Sequence, residues 1–244
     1  MNRIDWSVAA VRAKRLLTPS STSLLLENTI GNHLAGQHVD VRLVAEDGYE
    51  ARRSYSIASA PGSSDLELLV ERLADGEVSP FIADALQPGD ALEIRGPVGG
   101  HFTWAPSNRQ PLVLIAGGSG IAPLMSMIRH RSAAPDPAAP ALLLYSARNW
   151  LHMAFADELE RLAANDPSFS FVATTTRAPS RRSGDFARRL DSDMLAKVLA
   201  RFGPLGKPAC FVCGTTDFVE AAATALVDLG VPAEAVKTER YGGA

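Results

Sequence analysis

Cysteine is scarce in this chain: Cys210 and Cys213 are the only two in 244 residues. Two thiols exclude, within the chain itself, a four-thiolate iron-sulfur cluster and an all-cysteine zinc site. Their C-x-x-C spacing invites a dithiol reading. However, the stretch Ala209-Cys210-Phe211-Val212-Cys213-Gly214 has the pattern of a buried strand, whose period of two sends the two side chains to opposite faces. Nor does the pair open a helix, where a thiolate would be stabilised. Long apolar runs are missing too. The longest, such as residues 112–116 and 141–145, fall far short of the roughly 20 residues that a membrane-spanning helix needs. Excess charge of either sign is absent. A formal net charge of −3 gives no general attraction to nucleic acid, which requires a basic surface to displace its counterions. Any anion site must therefore be local. The N-terminal Met1-Asn2-Arg3-Ile4-Asp5-Trp6 lacks the basic start and apolar core of a secretory signal, so the expected location is the cytoplasm. No metal site is expected.

The hydrophobic pattern changes character near residues 104–111, and the length allows two modest domains. Before that point apolar residues alternate with polar ones. Val39, Val41 and Leu43 flank Asp40 and Arg42, while Leu66, Leu68 and Val70 flank Glu67 and Leu69. Such alternation implies antiparallel strands with one covered face. Turn signals at Asp47-Gly48, Pro61-Gly62, Asp75-Gly76 and Pro88-Gly89 separate short strands, as in a small barrel or sandwich. After Pro111 continuous apolar strands are expected at 112–116, 141–145, 169–174, 210–213 and 236–238. Helices are expected at 124–131, 154–164, 194–201 and 218–229, the last stopped by Gly230. Buried strands alternating with helices predict a parallel sheet covered on both faces. The expected architecture is an antiparallel β-barrel domain over residues 1–106 followed by an α/β parallel-sheet domain over 107–244. The Ala/Pro-rich residues 133–140 read as a surface loop inside the second domain.

Three sequence features carry chemistry. Arg53-Ser54-Tyr55-Ser56 offers a planar guanidinium suited to two phosphate oxygens and a flat aromatic face with a polar tip. Gly117-Gly118-Ser119-Gly120-Ile121-Ala122-Pro123 follows a buried strand and opens a helix, the context of a dinucleotide loop. It is neither a G-x-G-x-x-G fingerprint nor a P-loop, since no Lys-Ser/Thr follows. The third feature is Cys213-Gly214 together with Glu239-Arg240-Tyr241. In this order the three resemble the flavin and nicotinamide signatures of the ferredoxin-NADP reductase superfamily, and the resemblance covers nearly the whole chain.

The resemblance makes the first domain flavin-binding and the second NAD(P)-binding. It implies that Arg53 pairs with flavin phosphates, that Tyr55 lies against the isoalloxazine ring, and that Ser56 hydrogen-bonds near the hydride-accepting nitrogen. Strict alternation would aim Ser56 away from Tyr55, so that role requires the strand to turn just there, near residues 59–62. Ser54 and Val70 fall in the same flavin-binding set. Gly76-Glu77-Val78-Ser79 resembles the family's phosphate-binding turn, in which Gly76, Val78 and Ser79 contribute backbone N–H groups and a hydroxyl. It reads equally as a hairpin loop. Gly96-Pro97-Val98-Gly99-Gly100-His101-Phe102 is similar to the segment that closes the family's barrel, with His101 as a structural residue. For nicotinamide, the resemblance implies contact with Gly117, Gly118, Gly120 and Pro123. It sets Cys213 and Gly214 beside the carbon that gives up hydride, links Glu239 to Ser56, and places Tyr241 on the flavin face.

Ser146 and Arg148 end the second parallel strand, and Arg177 follows the third, where nucleotide ribose or phosphate sits in such sheets. Arg181, Arg182, Arg188 and Arg189 follow. Arginine favours a 2′-phosphate, hence NADPH over NADH, although such a run also suits a solvated face. The implied activity is a flavin-dependent NAD(P)H oxidoreductase. It would hold FAD rather than FMN and pass single electrons to a separate protein such as a ferredoxin or an oxygenase iron-sulfur centre. Arg12, Lys14 and Arg15 either help an acidic partner dock or protect a strand edge. A flavin-holding electron-transfer subunit and a non-catalytic nucleotide-binding module are the alternatives.

Overall fold

The computed structural model describes residues 4–134, 139–203 and 206–241. Residues 1–3, the 135–138 part of the Ala/Pro-rich loop and the Gly242-Gly243-Ala244 tail lie outside the described residues.

The first half is a six-stranded antiparallel sheet of β1 (Trp6–Thr18), β2 (Ser21–Glu27), β3 (His38–Val44), β4 (Glu50–Ser56), β5 (Asp65–Glu71) and β6 (Ala91–Val98), ordered β4-β3-β6-β1-β2-β5. Its inner face is filled by side chains such as Val39, Val41, Leu66, Leu68 and Ile94, all fully buried. The sheet curls shut at one point. Beyond Ser56 the chain leaves β4 and bridges to the other edge, Ile57 opposite Leu68, with the Ala58 N–H donating to the Glu67 carbonyl at 2.7 Å. That turn ends strict alternation at Ser56.

Alternation in β5 predicted one covered face, yet Glu67 and Leu69 are buried as well. The second domain covers the outer face of β5, so its polar residue is matched to a partner there rather than to water. A short helix α1 (Val78–Pro80) runs into a wider turn at Phe81–Ala85. The open carbonyls of that turn accept from Lys14 Nζ, at 3.1 Å for Ala83 and 3.5 Å for Ile82. This corrects the strand-edge reading of the basic cluster. β1 lies between β6 and β2, Lys14 caps the turn internally, and Arg12 pairs with Glu27 at 3.1 Å.

The second half alternates β7 (Leu112–Gly117), α2 (Ile121–Ser132), β8 (Ala141–Ala147), α3 (Ala156–Asn165), β9 (Phe169–Thr175), α4 (Ser192–Phe202), β10 (Ala209–Thr215), α5 (Thr216–Asp228) and β11 (Val236–Tyr241). The parallel sheet is ordered β11-β10-β7-β8-β9. Central β7 therefore has β8 on one side and β10 on the other, and strand order reverses at its carboxyl end. Both faces are covered. Phe211 and Cys213 pack with Phe102, Met127 and Tyr145 on one face, while Cys210 and Val212 pack with Val198, Val219 and Leu226 on the other. The two cysteines are free and point to opposite faces. Gly230, at φ +90°, ends the α5 region. Among the described residues no helix is long and apolar enough to cross a membrane.

Candidate active site

The closing turn of the barrel brings the end of β4 to the carboxyl ends of β7, β10 and β11. Arg53 is exposed, and one of its guanidinium nitrogens donates to the Arg52 carbonyl at 2.7 Å. The remaining N–H groups face outward at the edge strand of the sheet. Tyr55, two residues on, packs against the barrel core and is half-buried. Burial pushes its phenol up to about 12, against the opposing influence of Arg53, so the ring stays neutral at ordinary pH. Ser54 is turned the other way: its hydroxyl donates to Asp40 Oδ1 at 2.6 Å, and Asp40 also accepts from Arg95 at 2.6 Å. That places Ser54 on the opposite face from Arg53 and Tyr55. The resemblance groups the three in one flavin-binding set, whereas the Ser54 side chain faces Asp40.

Ser56 crosses the domain boundary. Its hydroxyl donates to Glu239 Oε1 at 3.2 Å. Glu239 lies opposite Cys213 in the parallel register of β10 and β11. Burial raises the Glu239 carboxyl above its usual range, and the Ser56 hydrogen bond opposes that shift. Burial, reinforced by Glu239, raises the Cys213 thiol well above its ordinary value. Burial thus favours the neutral thiol over the thiolate.

In the turn after β5, Val70 and Val78 are fully buried in the barrel core, so toward a ligand they offer backbone. The buried Ser79 hydroxyl accepts from the Leu73 N–H at 3.1 Å, and Gly76 N–H donates to the Leu73 carbonyl at 3.1 Å. Ser79 holds the 73–79 loop closed and keeps its own proton for donation.

The Gly-rich segment is a tight turn at Gly118–Gly120 leading into α2. Side chains would not fit there. A Cβ on Gly120 would run into the Cys213 carbonyl, one on Gly117 would lie 2.8 Å from the Phe218 ring, and one on Gly118, itself at φ +56°, would lie 2.8 Å from the Tyr241 hydroxyl. Gly214 is likewise packed on Phe218. Pro123 stands in the first turn of α2, where no N–H is required. The Tyr241 hydroxyl donates to the Gly117 carbonyl at 2.6 Å, and burial pushes its phenol up to about 12. Two residues that no sequence pattern singled out, Glu71 and Ser119, join across the domains at 2.6 Å. A carboxylate at a strand end and a serine among glycines carry no signature until the fold pairs them.

At the ends of β8 and β9, Ser146 is buried while Arg148 and Arg177 are exposed, with the Arg177 N–H donating to the Arg148 carbonyl at 2.8 Å. Arg148 lines a small cavity of about 50 Å³ shared with Glu71, Gly118, Ser119 and Tyr145. The later arginines divide. Arg182 pairs with Asp185 at 2.8 Å, and Arg188 pairs with Asp191 and Asp193. Arg181 instead is exposed and stacks 4.7 Å from the Trp150 ring centre, a contact the sequence did not announce. Among the described residues no cluster of His, Cys, Asp and Glu could hold a metal ion. The donor set, with its outward guanidinium, half-buried ring and glycine-lined turn at the strand switch point, fits a flavin and a pyridine nucleotide.

Comparison with known proteins agrees. Residues 14–104 match the family described as the oxidoreductase FAD-binding domain, and residues 114–224 match the oxidoreductase NAD-binding domain. Ferredoxin–NADP reductase B of Sorangium cellulosum is 35% identical over 96% of this chain and 96% of its own. The reductase component of propane 2-monooxygenase from Mycolicibacterium goodii is 31% identical over 82% of this chain, which spans 57% of that protein. The chain spans about half the length of several curated relatives it matches. A ferredoxin NADP⁺ reductase from Neisseria gonorrhoeae, solved with bound FAD and NADP, superposes with a TM-score of 0.80 at 22% identity over 96% of this chain and 98% of that one.

Proposed function

The chain belongs to the ferredoxin-NADP reductase superfamily, and from that premise we propose that it oxidises NADPH through a bound FAD and delivers single electrons to a separate acceptor protein. The observation that carries this reading is the Ser56–Glu239 hydrogen bond. It joins the end of the β4 motif to the strand beside Cys213, so the two half-sites face one another. Arg53, the N–H groups of residues 77–79 and the Ser79 hydroxyl would hold the flavin phosphates, while the Gly76 N–H closes the loop on Leu73, and Tyr55 would flank the flavin ring. When bound, the flavin would accept one hydride, which carries two electrons, and release those electrons one at a time. The residues bind, orient and shield. Ser56 and Glu239 hold a proton-bearing pair at the meeting point, Cys213 presents a neutral sulfur, and the Gly117–Gly120 turn gives nicotinamide room against the backbone. Proximity of this kind, with reacting atoms held about 3–3.5 Å apart, lowers the barrier without a protein nucleophile.

The preference for NADPH rests on Arg148, Arg177 and Arg181, which are exposed at the strand ends, whereas Arg182 and Arg188 are neutralised by aspartates. A separate acceptor is supported by the oxygenase reductase component among the relatives. One observation favours a second reading, a flavin-holding subunit that receives electrons from a partner: Tyr241 already fills the space above Gly118, so nicotinamide entry requires its ring to swing away. Acid extraction and mass analysis of the bound flavin, followed by NADPH and NADH oxidation with ferricyanide as artificial acceptor, tests the proposal. FAD with faster NADPH turnover supports it. FMN, or flavin with no turnover by either nucleotide, contradicts it.

A further inference from the structure

A third cross-domain connection, after Ser56–Glu239 and Glu71–Ser119, runs from helix α2. Helix α2 begins directly after the Gly-rich turn, and Ser126 and Arg129 sit farther along it. The fully buried Ser126 hydroxyl donates to the Ser59 carbonyl at 2.7 Å. Arg129 Nη1 donates to the Ala58 carbonyl at 2.9 Å and to Glu67 Oε2 at 2.6 Å, while its Nε and Nη2 grip both oxygens of Glu158 at 2.7 Å. Glu67 is buried on β5 and also accepts from Ser23. One guanidinium thus ties α2 and α3 to β5 and to the segment that closes the barrel. A planar, five-donor cation can do this; an ammonium cannot match both carboxylate geometries at once.

The position of this tie matters more than its strength. Ala58 and Ser59 follow Ser56 by two and three residues, and Ser126 and Arg129 follow Gly120 by six and nine along one rigid helix. We propose that Arg129, with Ser126, is a positioning residue for hydride transfer: it fixes the Gly-rich turn in register with Ser56, and so sets the distance between the two cofactor half-sites. The proposal rests on the flavin reductase reading above. Arg129 touches no reacting group, and its effect passes through the two short segments it bolts together. Misplacement on the scale of 1 Å is enough to slow transfer by one to two orders of magnitude.

The test separates register from folding. Arg129→Met alone leaves Glu67 buried without its partner, which destabilises strongly. Glu67→Gln combined with Arg129→Met removes the buried carboxylate together with its half-buried cation and keeps similar volumes, and Ser126→Ala supplies a milder second variant. Stopped-flow reduction of the FAD-loaded protein at saturating NADPH should be about tenfold or more slower in the double variant, with nucleotide affinity within about threefold of the wild type. Arg129→Lys should recover part of the rate, and Ser126→Ala should fall between wild type and double variant. Amide exchange of the apoprotein gives a readout without any cofactor. Exchange at residues 118–126 should quicken about fivefold or more, while β1 and β3 stay protected. A folded, flavin-loaded double variant that reduces at the wild-type rate, or apoprotein exchange unchanged at residues 118–126, overturns the proposal. Wild-type protein that fails to reduce with either nucleotide overturns the functional reading instead, and the exchange experiment then decides the bolt alone.

Discussion

The two cofactor half-sites are built in opposite ways. On the barrel side the chemistry is carried by side chains that project from an edge strand: Arg53 reaches outward, Tyr55 shows one face, and Ser56 turns with the closing chain. On the α/β side it is carried by missing side chains. Gly117, Gly118, Gly120 and Gly214 let Phe218, the Tyr241 hydroxyl and the Cys213 carbonyl close on the backbone where a Cβ would go. In the proposed function one half would recognise its cofactor by added atoms and the other by their absence. Deletions should therefore damage the first half, and additions the second.

The largest effect expected is at Gly118. Valine there meets Tyr241 and is forced to a positive φ, which a β-branched residue resists. NADPH-dependent flavin reduction should drop about 100-fold while flavin content stays near that of the wild type, as read by stopped-flow and by the visible spectrum. Equal loss of flavin would erase the contrast between the half-sites. Arg53→Ala should do the reverse. Loss of a charge-assisted phosphate contact worth roughly 1.5–3 kcal/mol weakens FAD binding about 10- to 100-fold in a calorimetric titration of apoprotein, and the flavin that is reloaded should reduce at close to the wild-type rate.

A smaller change is expected from Arg148→Ala and Arg177→Ala, which should each lower the ratio of kcat/KM for NADPH to that for NADH by about tenfold, the worth of roughly one ionic hydrogen bond. Arg188→Ala, already neutralised by Asp191 and Asp193, should leave the ratio unchanged. If both groups of arginines behave alike, the division drawn between free and paired guanidinia fails.

The smallest effect concerns pH. Burial raises the Glu239 carboxyl above its ordinary value of 4.5, so the folded protein holds this proton more tightly than the unfolded chain. Stability then falls as pH rises from about 4.5 through the folded value and levels off above it. Glu239→Gln removes that dependence. The melting temperature of Glu239→Gln relative to wild type should increase between pH 4 and pH 7 by about 2–4 °C. A difference independent of pH would show that burial of this carboxyl carries no proton linkage.

Much of the fold was legible from period alone. The switch from alternating to continuous apolar strands marked the change of architecture, and Gly230 marked a helix end, because these signals are local. The helix α2 begins at Ile121, three residues before the apolar period suggested, since the Gly-rich turn itself leads into it. Contacts between distant segments were not legible. The burial of Glu67 and the Glu71–Ser119 pair depend on how the two sheets meet, and the Arg181–Trp150 stack depends on the loops after neighbouring β8 and β9 lying side by side. Ser54 entered the flavin-binding set with the motif that carries the family resemblance, while strand alternation turns its side chain toward Asp40. The Ser56–Glu239 pairing was an implication of family resemblance, and the geometry supplies its physical basis in the closing turn after β4.

The central claim is that the two half-sites meet so that nicotinamide can reduce a flavin held by the barrel. An anaerobic visible spectrum of the purified protein, recorded before and after one equivalent of NADPH and, separately, of NADH, tests it most directly. The account predicts a yellow protein whose flavin absorbance bleaches promptly with NADPH and more slowly with NADH. A yellow protein that neither nucleotide bleaches, or a colourless one that takes up no FAD, would contradict it.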